Sequence, residues 1–407
     1  MDFCASPSLL AVDQALEKMM QAILPVTHTE TVSIENALDR VLATDIYSAI
    51  QVPSHNNSAM DGYALAPEQD TLPFKMVGES LAGKPFTQQL NPGECVKITT
   101  GATIPSGADR VVIQENIQII DEKIVLKEFP AYGENIRSAG EDIALNTLVF
   151  TKGHRISPVD IGLLASLGTS SLLVYCRLRV AILSTGDELT PAEQPLVPGN
   201  IYDSNRHMLC ALLRRLDVEL TDLGLLPDNV SRIKATLAQA SNEVDLIIST
   251  GGVSVGSADF TKDALTDLGE IHFWKIAMKP GKPFAFGKLE KCWFFGLPGN
   301  PVSAIVTFHQ LVLPSLRHLA GEVFTPTKPL AAVAAIQFKK QPGRTDYQRG
   351  ILTTKNNINY VTTTGLQSSG MLSSMMQANC YIILEQDRGN VKAGEVVQVL
   401  PFDKWIS

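Results

Sequence analysis

One stretch constrains this chain more than any other, the segment from Asp245 to Ser303. It opens with a short apolar run, Asp245-Leu-Ile-Ile-Ser-Thr250, which passes straight into Gly251-Gly252-Val-Ser254-Val-Gly256-Ser-Ala-Asp259. It continues to Lys279-Pro-Gly281-Lys282-Pro283 and closes on Gly296-Leu-Pro298-Gly299-Asn300-Pro301-Val-Ser303. A buried strand that runs directly into glycines is the usual form of an anion site in a parallel α/β sheet. Glycine lets the backbone approach a ligand closely, and the next helix points its free N–H groups at negative charge. Two lysines three residues apart, in a frame stiffened by proline and glycine, add full positive charges. Asp187, Glu188 and Asp259 supply carboxylates nearby in sequence, and carboxylates suit Mg²⁺. Together these groups point to phosphate or oxyanion chemistry.

The flanking sequence predicts a doubly wound, mostly parallel sheet over residues 178–325. Strands are expected at Leu178 to Leu183, Val218 to Leu225, Asp245 to Ser249, Ile271 to Lys275 and Trp293 to Phe295. They alternate with helical patterns at Met208 to Leu216, around Ile233 and Leu237 behind an Asp228 cap, after Asp259, and from Val302 to Leu319. In such sheets ligands bind beyond the carboxyl ends of strands, so Thr185-Gly-Asp-Glu188 and Ser249-Thr-Gly-Gly252 are expected to share one crevice. Asp187 and Glu188 read alone as a cap or an exposed turn. Beside Asp259 and Asp203, a divalent-metal or acid/base role becomes about equally strong.

Residues 47–142 change character. Short β-type runs (Phe74 to Val77, Cys95 to Thr99, Arg110 to Ile113, Lys123 to Leu126) alternate with turn residues, as in an inserted all-β domain. Its polar clusters, Ser58-Ala-Met-Asp61-Gly-Tyr63, Thr99-Thr100-Gly-Ala102 and Asn135-Ile-Arg137-Ser-Ala-Gly-Glu-Asp142, each read singly as turns. Residues 1–46 and 143–177 are expected to form a discontinuous linker region. Its predicted parts are a packing helix over Leu9 to Ile23 capped by Ser8, a short helix over Ser33 to Leu42, and a helix opening at Ser157-Pro158-Val-Asp160 and closing at Gly168. Long helical arms would then carry the insertion. Residues 326–407 predict a C-terminal β domain.

At 407 residues and 45% hydrophobic, the chain has room for more than one core. A formal net charge of -8 invites no nucleic acid through bulk charge. The six cysteines are scattered without a Cys-x-x-Cys pair, which suits a reducing compartment. The N-terminus lacks the basic start of a signal peptide and no apolar run spans a bilayer. A cytoplasmic protein without a membrane partner is expected. There is no P-loop and no Gly-x-Gly-x-x-Gly fingerprint.

Five motifs, in order, resemble the molybdopterin molybdenumtransferase family, the molybdenum insertases that include the E domain of gephyrin. They are Ser58-Ala-Met-Asp-Gly-Tyr63, Ser184-Thr-Gly-Asp-Glu-Leu189, Ser249-Thr-Gly-Gly-Val-Ser-Val-Gly256, Lys279-Pro-Gly-Lys-Pro283 and Gly296-Leu-Pro-Gly-Asn-Pro-Val-Ser303. The resemblance implies an elongated homodimer of four-domain subunits. It also implies insertion of molybdenum from molybdate into adenylylated molybdopterin, with release of AMP and Mg²⁺ as the metal. It carries catalytic roles to Glu188, Asp259, Asp187, Asp61 and Asp142, the first three also as metal ligands. It carries substrate contacts to Thr100, Arg137, Gly251, Gly252, Ser254, Lys275, Lys279, Lys282, Pro298, Pro301, Ser303, Arg349, Ser368 and Ser369. Asp61, Thr100, Arg137 and Asp142 are expected to face the crevice of a partner subunit. A separate molybdopterin adenylyltransferase and cofactor-receiving enzymes are the implied protein partners. Two rival readings stand beside this one, a molybdopterin adenylyltransferase on the same α/β unit and a non-catalytic scaffold.

Overall fold

The computed structural model describes residues 9–67, 73–252, 265, 268–403 and 406. Ser8, Ser254, Asp259 and nearly all of the helix expected after Asp259 lie outside the described residues.

A six-stranded sheet carries the site. Its order is Glu219–Leu226, Arg179–Thr185, Leu246–Thr250, Cys292–Leu297, Pro283–Leu289 and Gly269–Lys275. The first four strands run parallel, Pro283–Leu289 runs antiparallel to both of its neighbours, and the edge strand Gly269–Lys275 returns to the direction of the first four. Successive side chains of a strand point to opposite faces, and both faces here are covered. Val180, Ile182, Leu246, Ile248, Phe295 and Leu297 pack under helices on one side. Ala181, Leu183, Ile247 and Phe294 pack on the other side against Ile233 and Leu237 of the helix Val230–Ala240. Double burial explains why these strands read as unbroken apolar runs. The fold class is the one the sequence predicts.

Helix Val12–Ala22 buries Val12, Ala15 and Met19 in the α/β core, so it joins this sheet and is not part of an arm. Its start is later than expected: Leu10 instead forms a bridge to Ile276. The helix expected over Ser33 to Leu42 is only a single 3₁₀ turn, Ile34–Asn36, because the preceding residues Thr29–Ser33 pair as a strand with Ser171–Tyr175. Helix Pro158–Ser166 begins as predicted, with a capping box between Ser157 and Asp160, and Gly168 ends it at φ +74°. The expected long helical arms are absent among the described residues. Antiparallel ribbons replace them, pairing Thr29–Ser33 with Ser171–Tyr175 and Ile46–Tyr47 with Leu148–Phe150. Hydrogen bonds between two strands stiffen a narrow connection that isolated helices of this length would not.

Glu322 fastens this connecting unit to the α/β unit. Its carboxylate accepts from Arg155 Nε at 2.8 Å and Arg317 Nε at 3.0 Å, and only 3% of its side chain is exposed. Burial pushes its pKa up, but the two guanidiniums outweigh that and hold it below the usual glutamate value. Glu322→Gln should cost about 3–5 kcal/mol at neutral pH, since both arginines lose their counter-charge. The folded pKa is depressed, so the wild-type advantage is complete above the unfolded value of about 4.3 and fades as pH falls through the folded one. Denaturant unfolding of both proteins at pH 7 and at pH 3.5 checks this. An unchanged gap at the two pH values would contradict it.

The insertion is a six-stranded sheet ordered Arg110–Ile113, Gly62–Ala66, Glu94–Ile98, Phe74–Ser80, Lys123–Leu126 and Ile117–Ile120. It has its own cores, one around Tyr63, Leu65 and Phe74 and another around Ala64, Val96 and Val111. Gly62–Ala66 is fully buried, yet its glycine and alanines gave no strand signal in the sequence. In the C-terminal domain Thr345–Lys355 pairs with both Ile358–Thr363 and Cys380–Leu384. That double pairing closes five strands into a barrel around Phe338, Val361 and Ile382.

Candidate functional site

A cleft of about 650 Å³ opens at the carboxyl ends of Arg179–Thr185, Leu246–Thr250 and Cys292–Leu297. Glu188, Gly251, Gly252, Pro298, Pro301 and Ser303 line it, all of them expected from the sequence. Thr185, Tyr202, Asp203, Asn205, Pro283 and Gly370 join them. Two glycines make the geometry possible. Gly251 has φ +87°, and a Cβ there would lie 2.4 Å from the Thr185 carbonyl, so the two strand-end loops touch only because it has none. A Cβ on Gly186 would lie 2.5 Å from Glu188 Oε2, so the Glu188 carboxylate folds back over bare backbone.

The neighbouring carboxylates have other partners. Asp187 Oδ1 accepts from the Asp228 N–H at 3.0 Å, and Asp228 Oδ2 accepts from the Asp187 N–H at 3.4 Å. These reciprocal bonds tie two loops together, and Asp187 is not among the cleft-lining residues. Asp228 is not the helix cap the sequence suggests. Asn229 caps Val230–Ala240 through its side chain, which accepts from the Arg232 N–H. Burial raises the Asp228 pKa above the ordinary aspartate value, and the charges of Asp187 and Glu188 add to the rise. Asp203 is a structural group. It caps Ser204–Arg214, accepts from Ser184 Oγ at 2.7 Å and Arg206 Nε at 2.8 Å, and is 3% exposed. With its oxygens occupied and a guanidinium beside it, it is unsuited to the metal or acid/base role weighed from the sequence.

The lysines divide. Lys279 Nζ lies 3.6 Å from Asp346, a buried carboxylate of the C-terminal barrel. Lys282 is exposed and forms no ion pair among the described residues, and the next residue, Pro283, is part of the cleft wall. Lys275 is exposed and stands opposite Pro283 in the strand pairing. Arg349 is 1% exposed and donates from Nη2 to the Ser368 carbonyl and from Nε to Ser374 Oγ, both at 3.0 Å. Burial lowers its pKa. The Ser369 carbonyl accepts from the Val302 N–H at 3.0 Å, which brings Gly370 to the cleft. Arg349, Ser368 and Ser369 thus hold a loop against the cleft without themselves lining it.

The insertion gathers its own polar group. Asp61 Oδ1 accepts from the Thr100 N–H at 2.7 Å and its hydroxyl at 2.8 Å, and these bonds hold the Asp61 pKa below the ordinary aspartate value. Arg137 pairs in register with Asn57 beside them, and the Asp142 N–H donates to the Val52 carbonyl. The three clusters that read singly as turns share one end of this domain. Asp61, Thr100, Arg137 and Asp142 do not line the cleft of their own chain. Sequence reasoning missed Asn205, Tyr202, Asp228 and Gly370. Only Asn200-Ile-Tyr-Asp-Ser-Asn205, a polar run before a helix, offered any signal.

Family models match nearly the full length. One described as "MoeA N-terminal region (domain I and II)" matches residues 10–168, "Probable molybdopterin binding domain" matches 181–318, and "MoeA C-terminal region (domain IV)" matches 331–402. The chain is 46% identical to a molybdopterin molybdenumtransferase of Haemophilus influenzae, over 97% of this chain and 99% of that protein. It is 32% identical to a gephyrin of Dictyostelium discoideum, over 97% of this chain and 62% of that protein. A solved molybdopterin biosynthesis moeA protein from Pyrococcus horikoshii OT3 superposes with a TM-score of 0.83 at 29% identity, covering 97% of this chain and all of that one.

Proposed function

The chain belongs to the molybdopterin molybdenumtransferase family, and from that premise we propose that it transfers molybdenum from molybdate to adenylylated molybdopterin and releases AMP. The observation that supports this most is the cleft itself. A phosphoanhydride and a dianionic oxyanion need close backbone approach and positive charge, and Gly251, Gly252, Ser303 and Lys282 supply them on or beside one wall. The same strand ends offer Glu188 to a cation. Purified protein should release AMP from adenylylated molybdopterin only when molybdate is added. ATP consumption without molybdate would instead favour an adenylyltransferase, and neither activity would favour a scaffold.

Mg²⁺ fits this site in one way. Among the described residues no group of three or more His, Cys, Asp or Glu side chains is arranged to hold a metal ion. Mg²⁺, however, commonly takes one or two carboxylates together with substrate phosphates and waters. Glu188 is the described carboxylate that would hold it, with Asp259 outside the described residues. When bound, the ion would neutralise phosphate charge as AMP departs. The chain's own part is to seat the substrate on the glycine loops, keep Glu188 turned over Gly186, and hold Lys282 beside the Pro283 wall.

We further propose a cytoplasmic homodimer that meets a separate molybdopterin adenylyltransferase and the enzymes receiving the cofactor. Among the described residues no helix is long and apolar enough to cross a membrane. Lys282 supports the oxyanion assignment best, because Lys279 already faces Asp346. Lys282→Ala should raise the molybdate concentration for half-maximal rate about tenfold, or about 1.4 kcal/mol, with adenylylated molybdopterin still binding. An unchanged molybdate dependence would remove Lys282 from the site.

A further inference from the structure

The cleft has a second wall, made of apolar side chains. Leu189–Thr190 pairs in parallel with Ile201–Tyr202, and Leu189, Ile201 and Tyr202 all line the cleft. Backbone bonds fix this two-residue ribbon at both ends. The Ile201 N–H donates to the Glu188 carbonyl at 2.9 Å, and the Asp203 N–H donates to the Thr190 carbonyl at 3.1 Å. Successive side chains of a strand point to opposite sides, so Tyr202 points away from the side on which Asp203 is buried against Ser184. Ile201 is 58% exposed and Tyr202 45%. Among the described residues the Tyr202 ring stacks on no other ring or cation, and its hydroxyl has no hydrogen-bond partner.

Size and chemistry say what such a wall can hold. A tetrahedral oxyanion and a phosphoanhydride fill only part of a cleft of about 650 Å³, a volume that suits a larger organic molecule. Anions also gain nothing from the face of a phenol ring, which carries negative charge density. A flat nitrogen heterocycle does gain, because stacking takes two apolar faces out of water together. We propose that the Tyr202 ring is the platform on which a nitrogen heterocycle of the substrate stacks, with Leu189 and Ile201 extending the apolar ledge. The inference rests on the molybdenum-transfer reading above and deepens it. It divides the cleft into an anion wall, around Gly251, Gly252 and Ser303, and an aromatic ledge for the organic part. The ledge and Glu188 belong to one hydrogen-bonded piece of chain, which sets a stacked ring in a fixed relation to that carboxylate.

Steady-state AMP release, measured for each substrate at saturation of the other, tests this. Tyr202→Ala should raise KM for adenylylated molybdopterin about tenfold while KM for molybdate stays within about twofold of wild type. Tyr202→Phe keeps the ring face and should match wild type in both values. Tyr202→Leu keeps apolar bulk without an aromatic face and should weaken with the alanine variant. The leucine variant decides alone if the alanine variant does not fold. A rise in both KM values of Tyr202→Ala, or in neither, overturns the proposal. So does a leucine variant that matches wild type, or a phenylalanine variant as weak as alanine, since the first makes the ring face unnecessary and the second moves the contact to the hydroxyl. Calorimetric binding of AMP to wild type and Tyr202→Ala then says which ring stacks. Weakened AMP binding beside the raised KM puts adenine on the ledge, and unchanged AMP binding beside it puts the pterin there. Failure of wild-type protein to release AMP in response to molybdate would count against the molybdenum-transfer reading instead.

Discussion

Replacing Glu188 by alanine is expected to lower AMP release from adenylylated molybdopterin about a hundredfold or more at saturating molybdate, with Tm unchanged. Glu188 is exposed at a strand end, so its loss removes no packing. Its carboxylate is folded over Gly186 on the cleft wall. Asp187→Ala should behave differently. Asp187 accepts from the Asp228 N–H across two loops, so its loss loosens the site from outside and the rate should fall less, together with some stability. Rates and melting curves for the two variants side by side decide the matter. Near-wild-type turnover by Glu188→Ala would sink the assignment, and a larger defect in Asp187→Ala would reverse the two roles.

Mixing subunits is expected to restore what two single variants lose. Asp61→Ala and Glu188→Ala proteins should each be poorly active alone. Mixed dimers should recover up to about half of wild-type activity, because C₂ symmetry gives one site both defects and the other neither. The structure supplies the motive. Asp61, Thr100 and Arg137 cluster in a domain with its own cores, reached through narrow antiparallel ribbons, and they do not line the cleft of their own chain. The mixture should be co-expressed with two tags, and the doubly tagged species purified before assay. No recovery in that species would show that each site is complete within one subunit, and the insertion's polar cluster would then serve only to hold its own turns.

The sequence by itself determined the central sheet and most of one wall of the cleft. Runs such as Leu246 to Thr250 are apolar throughout because both faces of the strand are covered, and the glycines after them are required where loops meet or a carboxylate needs room. Gly251, Pro298 and Ser303 were legible for this reason, since local backbone demands write themselves into local sequence. The five motifs in order named the family for the same reason.

Tertiary structure decided the partners. Asp187, Asp203 and Glu188 look alike as carboxylates near strand ends. Only the fold gives Asp187 to the Asp228 backbone and ties Asp203, though it borders the cleft, to Ser184 and Arg206, while Glu188 is folded over Gly186 on the cleft wall. Likewise Lys279 and Lys282 are equivalent in Lys-Pro-Gly-Lys-Pro until the barrel brings Asp346 to one of them. The Asn205 amide is held by Thr250 and Gly299, which lie 45 and 94 residues away along the chain. Periodicity and propensity report on neighbours within a few residues. Whether a polar atom is used up or left free is settled by contacts between distant segments, and only the folded chain makes those.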